Sequence, residues 1–262
     1  MSSKRKQRRN RGSLKSGTPE PESNRGRNVY LDSLRGLAIV LMVVDHLAGI
    51  LLSIPIDYST IRLGTRLSMP LFAILMGYFL NAKGVSLNSP WRERFQIQRL
   101  LQILVAATAT SSLYFSYFGK LDILASLAIC YVCYLLLRSK FVLLVVALLL
   151  YRVDVTSQIL DFPLTIVISL VAQGMLLRKM GLAPAAISAI VLTLIGMGIV
   201  EKPSLLVLLF VLPATLLVGL AGQSKGLSHP WLSFLGRYPL TVYVVQYVVI
   251  FGIAKCLSVF SF

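Results

Sequence analysis

Two side chains on one stretch of this chain have the types and spacing for moving a proton beside an anionic substrate. Arg35 and His46 stand eleven residues apart in Val29 to Ile54, VYLDSLRGLAIVLMVVDHLAGILLSI. Eleven helical steps of ~100° return to within about 20° of the starting direction, so both project from one face, about 16 Å apart along the axis. Histidine gains and loses a proton near neutrality more readily than any other side chain, which makes His46 the candidate general base. Asp45 points about 100° away from His46 and should face another neighbour, with Arg62 or Arg66 of the next span as candidate partners. Asp32, one turn before Arg35, is a candidate positioning residue. The plainer alternative for the same groups is a buried His–Asp–Arg network that only fixes helix packing. The second histidine, His229, sits in the connection Gly226-Leu227-Ser228-His229-Pro230-Trp231 and reads as solvated.

The element that must hold these groups is a membrane span. A hydrocarbon core ~30 Å thick takes about 20 helical residues, and Val29 to Ile54 is long enough. A charge near the centre of such a helix costs roughly 2.5–3.5 kcal/mol, so ionisable groups there mark a functional site by default. His46 would lie about 7 Å past the midpoint of the stretch. The rest of the 262 residues has the same character: 56% are hydrophobic, and mean hydropathy is +0.77. A second span ends near Leu80, and further apolar runs cover roughly 97–118, 121–137, 141–151, 159–177, 182–200, 204–220 and 239–260. These predict an all-α, polytopic membrane bundle of about 9 spans (8–10), the run 141–151 being short for a span. A transmembrane barrel would alternate every second residue at far lower overall hydropathy, which excludes it. There is no internal repeat of the kind that builds many transporters.

The net charge of +16 is unevenly placed. Residues 1–28 hold nine Lys/Arg against Glu20 and Glu22, with almost no apolar side chains, and read as a disordered basic cytoplasmic tail ahead of a membrane domain at 29–262. Alternating sides from an inside N-terminus puts Lys83, Arg92, Arg94, Arg138, Lys140, Arg178, Lys179, Lys225 and Arg237 inside, as the positive-inside rule requires. The tail then serves retention and attraction to anionic lipid, and no nucleic-acid partner is expected. Cys130, Cys133 and Cys256 lie in apolar runs and read as small buried hydrophobes, since no second ligand pair accompanies the Cys-x-x-Cys spacing. No metal constellation appears. Asp122 and Asp154 read as solvated at membrane edges, Trp91 and Trp231 as interfacial anchors, and Gly174, Gly196, Gly198 and Gly219 as close-packing positions.

Leu31-Asp32-Ser33-Leu34-Arg35-Gly36-Leu37-Ala38, followed by His46, resembles the opening of the acyltransferase-three superfamily of membrane acyltransferases. Met42-Val43-Val44-Asp45-His46, then Arg62-x-Gly64-Thr65-Arg66-Leu67-Ser68-x-Pro70-Leu71-Phe72-Ala73 and Gly77, is similar to the TraX branch, whose founding member N-acetylates a pilin. Phe95-Gln96-Ile97-Gln98-Arg99-Leu100-Leu101 resembles the start of that branch's third span. Phe234-Leu235-Gly236-Arg237-Tyr238-Pro239-Leu240-Thr241-Val242-Tyr243 is a weaker likeness to the superfamily's last-helix signature. Two departures stand out. Gln102 follows Arg99 where a second arginine is frequent, and Gln246 follows Tyr243 where a histidine is frequent.

The resemblance implies transfer of an acyl group, usually acetyl, from cytoplasmic acyl-CoA to an acceptor. Carried over, His46 deprotonates the acceptor, with Asp45 beside it. Arg35 faces the donor, Arg99 holds phosphates, Arg92 and Arg94 stand at the entry, and Arg62, Arg66 and Asp32 have structural or substrate-positioning roles. Such roles suit arginine, whose planar fork pairs with phosphate oxygens on a polyanionic donor. Acetyl-CoA is the expected donor substrate, with no metal. The acceptor is open among glycan, lipid, amine and peptide N-terminus. A rival from another class is a small proton-coupled transporter using Asp45 and His46 as a relay. A non-enzymatic scaffold would leave His46 replaceable by Asn or Gln.

Overall fold

The computed structural model describes residues 28–52, 60–80, 90–137, 158–199, 204–226 and 228–259. The basic tail before Asn28, the run 141–151 and Asp154 lie outside these residues. The described secondary structure is helical apart from one isolated bridge. Helices α1 (Val29–His46), α2 (Thr60–Thr65), α3 (Ser68–Leu80), α4 (Pro90–Phe118) and α5 (Ile123–Leu137) come first. Then follow α6 (Leu164–Met180), α7 (Leu182–Ile199), α8 (Ser204–Leu209), α9 (Val211–Gly222), α10 (Pro230–Arg237) and α11 (Pro239–Val259). Among the described residues, Val29–Leu51, Ile61–Leu80, Ile97–Phe118 and Pro239–Leu257 are long and apolar enough to cross a membrane, and shorter apolar helices pack among them. Large apolar side chains such as Val105, Ile187, Leu194 and Val248 point outward, where water would penalise them and lipid does not. This is an integral, multi-pass membrane protein.

Local chemistry explains where α1 starts. Asn28 caps it, its side-chain oxygen accepting from the backbone N–H of Tyr30 at 3.0 Å and of Leu31 at 3.2 Å. The same amide donates to the Ala221 carbonyl at 2.8 Å, so the cap also ties α1 to the end of α9. At its other end α1 does not simply stop. The helix continues as one π-helical turn, Leu47–Leu51, beginning at the residue after His46, with the N–H of Leu52 reaching the carbonyl of Leu47. Such bulges are costly and concentrate at functional sites.

Two crossings are built on paired glycines. A Cβ on Gly36 would overlap the backbone carbonyl of Leu232, and one on Gly236 would overlap that of Asp32, so α1 and α10 touch backbone to backbone. In the same way a side chain on Gly77 would run into Val171 of α6, and one on Gly174 into Ile74 of α3. Lipid offers no hydrophobic drive between helices, so close approach and dispersion hold such pairs together. The reading of Gly174 as a packing position agrees with this contact. Deeper in, Gln173 of α6 donates to the Ala185 carbonyl of α7 at 2.5 Å and to Thr215 of α9 at 3.3 Å, satisfying a buried amide across three helices.

Helices α4 and α5 form a hairpin through Gly119, whose φ of +66° suits a residue without a side chain. Leu121 pairs with Leu160 in a short parallel bridge, which pins the loop before α6 against this turn. That bridge sets Asp161 beside Tyr114, whose hydroxyl donates to it at 2.9 Å. Burial pushes the Asp161 carboxyl up to about 6, against the opposing hydrogen bond from Tyr114. A carboxyl raised in the folded state favours folding below its ordinary range, and that stabilisation is lost as pH rises through about 6. The unfolding midpoint should therefore fall as pH rises from about 4 to about 6 and level off above that, with up to about 3 kcal/mol at stake over the whole window. Asp161→Asn should flatten that slope in a thermal-shift series, and an unchanged slope would assign it to other groups.

Candidate functional site

Arg35 and His46 line one cavity of about 1100 Å³, between α1, the start of α3, α4 and the first turns of α11. That is slightly above the range usual for small-molecule sites. Its wall carries apolar side chains, Met42, Met69, Phe72, Met76 and Phe79 among them, beside Asp45, His46, Arg62 and Arg66. Arg35, Arg99 and Arg237 also line it. The side chains of Arg92 and Arg94, on the first turns of α4, lie outside the described ones.

Arg35 is held in place twice over. Its guanidinium bonds the buried Asp32 carboxylate at 3.0 Å and lies over the Phe79 ring at 3.8 Å from the centroid. Stacking and an ion pair leave a planar cation fixed in orientation at the cavity wall. The ion pair joins two residues one turn apart on the same helix. The place of Asp32 in the first turn of α1 is also favoured by the helix dipole.

Asp45 turns away from His46, as the ~100° offset on the helix demands. Its Oδ1 accepts from Thr65 Oγ1 at 2.7 Å and from Arg62 Nε at 3.3 Å, and its Oδ2 lies 3.9 Å from Arg66. The pairing proposed from the sequence is the one observed. Thr65 and Arg66 are buried, so this knot fastens α2 to the far end of α1 while all of its members still line the cavity. Among the described residues, no hydrogen bond joins Asp45 to His46.

His46 meets a group that sequence reasoning missed. Its Nε2 lies 3.3 Å from the Tyr247 hydroxyl, with the two rings edge to face and centroids 4.8 Å apart. Tyr247 bonds Asp122 Oδ1 at 2.7 Å, Tyr243 bonds both Asp122 oxygens at 2.7 and 2.8 Å, and Thr110 adds a bond at 3.0 Å. The expectation that Asp122 is solvated at a membrane edge is therefore corrected: it is 2% exposed. It takes the position ahead of α5 that an acidic cap favours, its Oδ2 accepting weakly from Leu124 N–H at 3.4 Å, while three hydroxyls satisfy the rest of the carboxylate. The available signal was Tyr243 and Tyr247, four apart on the last span and so stacked on one face. His46 Nδ1 is buried and, among the described residues, has no hydrogen-bond partner. His229 is exposed, as expected.

This arrangement can take a proton from a group in the cavity and hold a negative charge near Arg35. The described residues contain no cluster of three or more His, Cys, Asp or Glu able to hold a metal ion. Residues 28–122 match the family described as acyltransferase domain. The match runs from the cap of α1 to Asp122, and so includes Arg35, Asp45, His46, Arg62, Arg66 and Arg99. It implies an enzyme that transfers acyl groups. No curated protein and no solved structure matches the chain.

Proposed function

We propose that this membrane protein transfers an acyl group, most simply acetyl, from acyl-CoA to a hydroxyl or amine, with His46 as general base. One observation carries the reading: a single cavity has a fixed guanidinium, Arg35, and an imidazole, His46, on its wall. Arg35 and Arg99 bind the anionic donor, and Arg92 and Arg94 guide it in. The thioester then extends along the apolar wall toward His46. Arg62 and Arg66, held by Asp45, shape the far end where the acceptor enters. With the tail cytoplasmic, the donor comes from the inside. The run from Met42 to His46 and that from Arg62 to Gly77 support a place in the TraX-like branch, and glycan, lipid, amine and peptide N-terminus are the acceptor classes to screen. A transporter relay from Asp45 to His46 is disfavoured, because the Asp45 oxygens serve Thr65 and the arginines.

The test is release of free thiol from acetyl-CoA by the purified protein in detergent, with and without candidate acceptors. Absence of both binding and turnover would overturn the proposal. Arg35→Ala should raise the donor KM by about 10- to 100-fold, the worth of a hydrogen bond to a charged group, and change kcat less. Unchanged donor affinity would confine Arg35 to holding Asp32.

A further inference from the structure

We propose that Tyr247 locks His46 in the tautomer protonated on Nε2, so that Nδ1 is the nitrogen that takes the acceptor's proton. The argument is a count of hydrogens. Tyr247 has one hydroxyl hydrogen and three partners in reach: Asp122 Oδ1 at 2.7 Å, His46 Nε2 at 3.3 Å and Tyr243 Oη at 3.4 Å. A carboxylate at the shortest distance is the strongest acceptor, so the hydrogen goes to Asp122. Tyr243 and Thr110 send theirs to the same carboxylate. The Tyr247 oxygen then has only lone pairs to offer His46. Two facing lone pairs repel, so Nε2 must carry the hydrogen and donate it. That leaves Nδ1 bare, and it is the buried nitrogen without a partner, on a ring that lines the cavity.

The role assigned to Nδ1 rests on the proposed acyl transfer, whereas the tautomer does not. In the reaction, the acceptor O–H or N–H bond breaks as its oxygen or nitrogen bonds the thioester carbon, and the proton passes to Nδ1. The C–S bond then breaks, and the departing sulfur takes that proton to leave as free thiol. Tyr247 keeps its own hydrogen throughout. It is a positioning residue, which passes the negative charge of Asp122 to the imidazolium through a polarised hydroxyl.

Only two histidines are present, so His229→Gln leaves His46 as the one reporter. In ¹⁵N-histidine-labelled, full-length protein in detergent, couplings from the ring nitrogens to the ring C–H protons should identify Nδ1 as unprotonated. Tyr247→Phe should give a mixture of tautomers and lower kcat about tenfold or more, within the 10²–10⁴-fold worth of a general base, with donor KM nearly unchanged. Tyr243→Phe, which removes a donor from Asp122 without touching His46, should leave the tautomer as it is. A proton on Nδ1 in the parent protein, or an unshifted tautomer in Tyr247→Phe, would overturn the assignment. The predicted tautomer in a protein that transfers no acyl group would leave the assignment standing and remove the acyl-transfer reading instead.

Discussion

Replacing His46 with alanine should abolish acyl transfer while the protein stays folded. A positioned general base contributes about 10²–10⁴-fold, and the described cavity wall offers no second imidazole to substitute for it. The fold should survive because the network behind His46 does not need it. Tyr247 stays bound to Asp122, and Asp122 keeps its bonds from Tyr243 and Thr110. What is lost is one edge-to-face ring contact, worth about 0.5–1.5 kcal/mol, and a 3.3 Å hydrogen bond. His46→Gln, which retains polarity without a titratable nitrogen, should be equally inactive. The measurement is thiol release beside a thermal-shift curve. Full turnover in either variant, with an unchanged melting curve, would take the role of base away from His46.

The second large effect is structural. Gly36→Val should destabilise the protein strongly, since the first added carbon already falls on the Leu232 backbone carbonyl. A flexible side chain can rotate away, but a carbonyl inside a helix cannot, so α10 would have to move as a body. Overpacking of a tight core costs about 1–3 kcal/mol, and backbone contact belongs at or beyond the upper end. At this chain length, 3 kcal/mol corresponds to roughly 6–12 °C in Tm. The same displacement would shift Arg35, one residue away on α1, relative to Phe79, so donor binding should weaken even in molecules that remain folded. Gly64→Ala is the control, because nothing lies within 4 Å of a side chain there. A Gly36→Val protein melting with the parent would show that α10 is not held against α1 in the way described.

Much of the site is legible in one dimension because one helix carries it. Arg35, Asp45 and His46 keep fixed mutual directions once Val29 to His46 is helical, and helical periodicity needs no knowledge of the neighbours. The pairing of Asp45 with α2 follows almost as directly, since few residues separate the two helices. Membrane insertion is likewise a property of composition, being decided by apolar run length against bilayer thickness.

What surrounds His46 comes from far along the chain. Tyr247 is 201 residues away and Asp122 sits at the turn between α4 and α5, so a carboxylate that looks like an exposed edge residue in sequence is enclosed by hydroxyls from elsewhere. Hydropathy cannot register this, because burying an acid depends on who donates to it and not on what flanks it. The sequence by itself determined that this is a helical membrane protein with a guanidinium and an imidazole on one face of its first span. Only the tertiary structure decided that both groups open onto the same cavity and that His46 meets Tyr247 of the last helix, because packing and hydrogen bonding between helices distant in sequence set these outcomes.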